Sequence, residues 1–407
     1  MFCENPNPNE NVKAAAVAWG AGRPLVIEQV NVSPPQPMEI RIKVVCTSLC
    51  RSDLSAWESQ AIFPRIFGHE ATGVGEGVTE CTQGDHVLTV FIGECGKCRQ
   101  CASGKTNICH LLGLERRGVM HCDQRTRFSI NATGEPVYHY CAVSSFSEYT
   151  VVHSGCAVKI SSLVPLEEVC LLSCGVAGGR VSSLADIAMR SHDTCIHMMY
   201  AYIYSSEGLR FGRGMQFQFM IALRHRYMDF YVGCMRIGLG AASNIADISN
   251  GSSVVIFGLG TVGLSVIKHM TGGGADYSFE CIGDTGMVIG NYCIAGMLRF
   301  LFIQLGLVFI WRLLEGMGFD GYTWNAKVKP EITAHYGAFL TGRTLKGSLF
   351  GGWKPKTDLP SLVEMYTKKE IQVDEYLTHN LPFEDVNKAF NLMREGKCLR
   401  CVIHMEN

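Results

Sequence analysis

Residues 252–270 read SSVVIFGLGTVGLSVIKHM. The first six residues have the β-branched, apolar character of a buried strand. GLGTVG is a glycine turn, and LSVIKHM has helical character. Strand, glycine turn and helix in this order open a nucleotide-binding α/β fold. Gly258, Gly260 and Gly263 provide the tight turn and the close approach of backbone to a pyrophosphate at a helix N-terminus. Glycine spacing alone is a weak signal; the strand before it and the helix after it give it meaning. An acidic residue for a ribose is expected about 20 residues further on. Glu280, in DYSFE, stands at that spacing.

On the N-terminal side the pattern changes. AAAVAW (14–19), EIRIKVVC (39–46) and HVLTVF (86–91) are short β-rich runs, separated by turn clusters such as NVSPPQP (31–37). They predict a β-rich first domain. On the C-terminal side EDVNKAFNLMREGK (384–397) is helical and LRCVIHM (399–405) reads as a strand. Two stretches, near 180–236 and 289–330, show no clean period and read as insertions. FLFIQLGLVFIW (300–311), flanked by Arg299 and Arg312, is too short for a bilayer, which needs about 20 apolar residues, and predicts a buried helix or strand.

The chain has 407 residues and a net charge of -1, which gives no electrostatic reason to expect nucleic acid or a membrane surface as partner. The N-terminus, MFCENPNPNENVK, lacks the basic and apolar regions of a signal peptide, so a cytoplasmic location is expected. Nineteen cysteines in a chain of this size point to metal or a reactive thiol rather than to a disulfide scaffold. GECGKCRQCASGKTNICH (93–110) spaces Cys95, Cys98, Cys101 and Cys109 so that four thiolates can converge on a tetrahedral zinc. Four closed positions leave none for substrate, so the role is structural. An iron–sulfur cluster competes, although the usual cluster runs have other intervals. Cys50 in TSLCRSD, His69 in FGHE and Cys174 in LLSCG form a second possible set. From spacing alone, a histidine after glycine reads more readily as a satisfied structural residue.

Taken together and in this order, LCRSD, GHE, the four-cysteine run, SCG and GLGTVG resemble the zinc-dependent medium-chain alcohol dehydrogenases. TRFSI, PVYHY, SSFSEYTVV, GRTLKGSLFGGWKPKT and GKCLRCV are most similar to the plant alcohol dehydrogenase-like branch, and they also resemble the glutathione-dependent formaldehyde dehydrogenases. The resemblance covers residues 12–177, 238–285 and 338–404. It implies an α/β protein with two domains. A GroES-like catalytic zinc domain would span 1–176 and be completed by 350–407. A Rossmann-type NAD-binding domain would span 177–349 and carry the insertions.

It also implies two zinc ions per chain and NAD. Cys50, His69 and Cys174 would hold the catalytic zinc; Cys95, Cys98, Cys101 and Cys109 would hold the structural one. Asp53 would orient His69, Glu70 would sit beside the metal, and Ser52 would hand on the substrate proton. Arg51 and Arg400 would contact the cofactor pyrophosphate, and Phe350 would stand near the nicotinamide. The implied reaction oxidises a primary alcohol, or S-hydroxymethylglutathione, by hydride transfer to NAD. A small alcohol or aldehyde is the expected partner, and a homodimer the expected assembly.

Some positions depart from the family. Ser55 stands where the proton relay often continues to a histidine. Gly178 stands where the family has a threonine near the nicotinamide. GGGADYSFECIG (272–283) resembles a later strand of the cofactor domain, beyond a stretch that this chain lacks. By that resemblance Glu280 is an ordinary strand-end residue, and the strand carrying the acidic ribose contact is missing. The alternative reading is therefore a non-catalytic zinc-binding protein with a degenerate cofactor domain.

Overall fold

The computed structural model describes residues 12–59, 62–76, 81–115, 117–174, 254–257, 277–280, 300–303, 344–347, 349–371 and 373–405. Gly178, Gly258, Gly260, Gly263, the stretch 180–236 and most of 289–330 lie outside them.

The N-terminal part is built of short strands, as the β-rich runs predict. A five-stranded sheet has the order β4 (Arg65–Ile66), β1 (Val12–Ala18), β2 (Val26–Val32), β7 (Phe128–Ile130), β8 (Pro136–Val137). A seven-stranded sheet runs β10 (Ala157–Lys159), β6 (Asp85–Thr89), β5 (Glu70–Glu76), β3 (Glu39–Leu49), β16 (Arg400–His404), β15 (Leu377–Pro382), with β9 (Tyr149–His153) also on β3. β3 is the spine. Ile40, Ile42, Val44 and Cys46 alternate onto one fully buried face, which is the strand period. Its residues 39–43 pair with β9 and residues 46–49 with β16, while β5 covers the other side.

The C-terminal segment belongs to this same body. β15 and β16 add two strands to the sheet of β3. α5 (Val386–Arg394) buries Val386, Ala389, Phe390 and Met393, one helical stripe. Phe390 meets the ring of Trp57, in α1 (Arg51–Glu58), edge-on at 5.2 Å, and that of Phe146 at 5.9 Å. Asn387 takes a hydrogen bond from the Leu25 amide at 2.8 Å and gives one to its carbonyl at 2.9 Å. Burying each such large side chain stabilises by about 1.5–3 kcal/mol, so this seam contributes several kcal/mol.

The remaining strands form a four-stranded parallel sheet, in the order β11 (Val254–Phe257), β12 (Tyr277–Glu280), β13 (Phe300–Ile303), β14 (Thr344–Gly347). FLFI, the start of the apolar run, is a central strand here. The glycine turn expected after β11 falls outside the described residues. β12, which ends at Glu280, lies directly against β11. In the usual doubly wound order the first strand is flanked on one side by the strand bearing the acidic ribose contact and on the other by a later strand. Among the described residues β12 is the one neighbour of β11, and its adjacency fits either place.

Candidate metal and active site

The ladder of the seven-stranded sheet brings distant residues to one end. Ser48 of β3 pairs with Glu70 of β5, so Cys50, just past β3, and His69, just before β5, are neighbours. Leu49 pairs with Cys401, which sets Arg400 beside the same end. Cys174 arrives by α3 (Leu166–Val169) and a 3₁₀ turn, Cys170–Ser173, that packs on β3, β5 and β6. The ligand atoms of Cys50, His69, Glu70 and Cys174 lie within 4.8 Å of one another. The Cys50 and Cys174 sulfurs are 4.0 Å apart.

Asp53 organises this cluster. It is the third residue of α1, and one carboxylate oxygen accepts from the Cys50 amide at 3.0 Å, capping the helix. The other oxygen accepts from the Gly68 amide at 3.0 Å and lies 3.2 Å from His69 Nδ1. One fully buried carboxylate thus caps α1 and orients the imidazole, leaving Nε2 turned to the cluster. Gly68 is required here: its φ is +91°, and a Cβ would meet the Phe146 amide nitrogen at 2.8 Å and Ser145 Oγ at 2.5 Å. Ser52 Oγ is 3.4 Å from His69 Nε2.

The four donors perturb one another's titration. Cys50 lies well below its usual 9.0, chiefly because the Cys174 thiol donates to it, and Cys174 is pushed well up by the same contact and by burial. Burial pushes His69 down, but the Asp53 charge and hydrogen bond outweigh it and raise it well above 6.5. Burial, together with the Cys50 charge, raises Glu70 to about 8. Arg400 Nε lies 3.6 Å from Glu70 Oε2. Burial opposes the Arg400 charge, while Glu70 and both cysteines more than offset this and hold it charged. A divalent cation would reverse the local logic, favouring thiolates and neutral imidazole. Arg51 is exposed at the first turn of α1.

The second cluster is the loop around α2 (Arg99–Ser103). Cys95, Cys98, Cys101 and Cys109 bring their sulfurs within 4.8 Å of one another, with Cys95–Cys101 at 3.9 Å and Cys98–Cys109 at 3.8 Å. Thiolates 2.3 Å from a tetrahedral zinc stand about 3.8 Å apart, so the spacing fits that ion. Backbone amides point at these sulfurs: Cys98 N at Cys95, Cys101 N and His110 N at Cys98, and Leu112 N at Cys109. The amide of Cys101 leads in pulling the Cys98 thiol down to about 6. The lobe has little apolar support, with Leu112 the main buried side chain among the cysteines.

Three neighbours were not singled out from the sequence. Phe91 and Tyr140 meet the His69 ring edge-on at 5.6 and 5.7 Å. The Tyr140 phenol, pushed well above 10.0 mainly by burial, also hydrogen-bonds Ser52. Glu94 takes hydrogen bonds from the amides of Lys356 and Thr357 at the start of α4 (Pro355–Thr367). Aromatic residues in strand-like runs look like core, and an acidic residue inside a cysteine run looks like surface, so no local pattern marked them.

The chain is similar to known proteins in both sequence and fold. The family described as the alcohol dehydrogenase GroES-like domain matches residues 36–162. Alcohol dehydrogenase-like 6 of Arabidopsis thaliana is 51 % identical over 443 aligned positions, covering 96 % of this chain and 95 % of that protein. A chain of 407 residues cannot fill 443 positions, so the alignment includes residues that the relative has and this chain lacks. Alcohol dehydrogenase 1 of Zea mays is 37 % identical, with 97 % of each chain covered. Among solved structures, an alcohol dehydrogenase zinc-binding domain protein from Burkholderia ambifaria superposes with a TM-score of 0.68 at 22 % identity, over 97 % of this chain and 99 % of its own.

Proposed function

The chain belongs to the zinc-dependent medium-chain alcohol dehydrogenases, an oxidoreductase family, and from that premise we propose that it oxidises a primary alcohol, or S-hydroxymethylglutathione, by hydride transfer to NAD. The observation that carries this reading is the convergence of Cys50, His69 and Cys174, with Asp53 behind the histidine and Arg400 beside Glu70. Cys50, His69 and Cys174 would hold the catalytic zinc, and Cys95, Cys98, Cys101 and Cys109 the structural one. When bound, the catalytic zinc supplies Lewis acidity that lowers the pKa of an alcohol oxygen, and NAD supplies the hydride acceptor.

The chain's own residues do the rest. Asp53 keeps the His69 tautomer fixed. Ser52, beside His69 Nε2 and hydrogen-bonded to Tyr140, is placed to take the alcohol proton at its Oγ. Ser55 offers no imidazole for the next step, so the proton passes on through water. Arg400, held charged, and Arg51 would meet the pyrophosphate, and Gly258, Gly260 and Gly263 would let the backbone approach it. Glu70 lies 3.6 Å from Arg400 Nε and within reach of the metal. The domain division that follows is 1–176 with 350–407, and 177–349; a cytoplasmic homodimer completes the reading.

The test uses purified, zinc-loaded protein, following NADH absorbance with ethanol and with S-hydroxymethylglutathione. Turnover is expected. No turnover, together with no thermal shift from NAD, would sink the enzyme reading. The residues this chain lacks against its relative favour a second reading: a zinc-binding protein with a degenerate cofactor domain. It predicts full zinc content and no response to NAD. Sedimentation would read the assembly, with a monomer contradicting the dimer.

A further inference from the structure

Asn107 stands in the cysteine lobe, and its side chain reaches a segment far along the chain. Nδ2 donates to the carbonyl of Leu349 at 2.7 Å and to that of Trp353 at 3.0 Å. These carbonyls bracket Phe350, Gly351 and Gly352, three successive left-handed residues with φ of 54°, 61° and 74°. Glycine adopts this conformation freely, but phenylalanine seldom does, and it persists only where the surroundings impose it. The surroundings do so from several sides. The Gly352 amide donates to Leu349 O at 3.0 Å and the Trp353 amide to Phe350 O at 3.1 Å. Lys354 Nζ donates to Cys101 O at 2.6 Å.

What this turn holds in place is the Phe350 ring. It is buried and meets Phe91 edge-on at 5.6 Å, and Phe91 meets His69 at 5.6 Å in the same manner. A row of rings thus joins the metal-cluster imidazole to the turn that the cysteine lobe grips. We propose that Asn107 is a positioning residue: by clasping both ends of the Leu349–Trp353 turn, it sets Phe350 against Phe91 and so fixes the aromatic wall that decides which alcohols reach His69. This rests on the alcohol dehydrogenase reading. A firmly seated wall would narrow the approach to His69 and so favour unbranched alcohols over branched ones.

The test compares wild type with Asn107→Ala in the full-length, zinc-loaded chain. Amide exchange at Gly352 and Trp353 should quicken by about tenfold as two neutral hydrogen bonds are lost. Zinc content should stay at the wild-type level. The kcat/KM ratio of ethanol to isobutanol should fall by about tenfold. Phe350→Gly, which accepts the left-handed backbone, should lower the same ratio, and the double variant should lose no more than either single one. If Asn107→Ala fails to fold, Asn107→His keeps one donor and should show part of the same shift. Unchanged exchange in the variants would overturn the clasp. Faster exchange with an unchanged alcohol ratio, in an active wild type, would overturn the wall. A wild type without turnover would remove the enzyme reading, while exchange would still decide the clasp.

Discussion

A single carboxylate ties the site together. Asp53 serves the Cys50 amide, the Gly68 amide and His69 Nδ1 at once. Asp53→Asn puts an amide donor against two N–H groups and frees the imidazole. Zinc competition with a chelator should show affinity at the Cys50–His69–Cys174 cluster falling by about 10–100-fold, while the four-cysteine lobe keeps its ion. Equal loss at both sites would argue for general unfolding instead. Ser52 tests the proton path. Ser52→Ala should lower kcat by about 100-fold with little change in KM, because a positioned proton acceptor acts in the transition state and not in binding. The spacing of LCRSD and GHE pointed to Cys50, Asp53 and His69 only through their resemblance to a family. Nothing local in the sequence says that Asp53 reaches His69 rather than solvent.

At the scale of elements, the cysteine lobe has little apolar support, so an ion held there would carry much of its stability. Cys98→Ser should leave the protein with roughly one zinc fewer per chain by metal analysis, since three thiolates seldom close a structural site. The same element anchors its neighbour. Glu94 accepts from the Lys356 and Thr357 amides at 3.0 and 2.9 Å and from Thr357 Oγ1 at 2.6 Å, acting as a remote cap for α4. Glu94→Gln should lower stability by about 1 kcal/mol in urea unfolding, because it replaces one acceptor oxygen with a donor at a helix start. The strands β1, β3, β6 and β16 and the helix α5 were legible from their local composition and the turn clusters around them. α4 was not. It carries Pro360 inside it and begins with Pro355, so its pattern looks like turn chemistry until Glu94 is seen supplying the cap.

Across the whole molecule, a buried ion pair away from the site also ties the N-terminal body together. Arg127 forks onto Glu39 at 2.9 and 2.7 Å and reaches Asp123 at 3.0 Å, joining the start of β3 to the segment before β7. Burial raises the Glu39 carboxyl, but Arg127, the Cys122 thiol and the Gln36 amide more than offset it and hold it below 4.5. A depressed carboxyl contributes stability that is fully present above 4.5 and is lost as pH falls through the folded value. The melting temperature should therefore fall on acidification below that point, and less steeply in Glu39→Gln. At neutral pH that variant should be less stable by about 3 kcal/mol, because a buried guanidinium loses its main partner. The local runs and the cysteine spacing were enough to name the strands and the lobe, since each is written in residues close together along the chain, while the family was read from the order of motifs along most of its length. Without the family resemblance they could not say that residues 349–405 return to complete the first body, or that Cys50, His69 and Cys174 meet, and nothing in them put Arg400 beside Glu70. Those facts come from strand pairing and ring packing between residues hundreds of positions apart, and such contacts leave no period in the sequence.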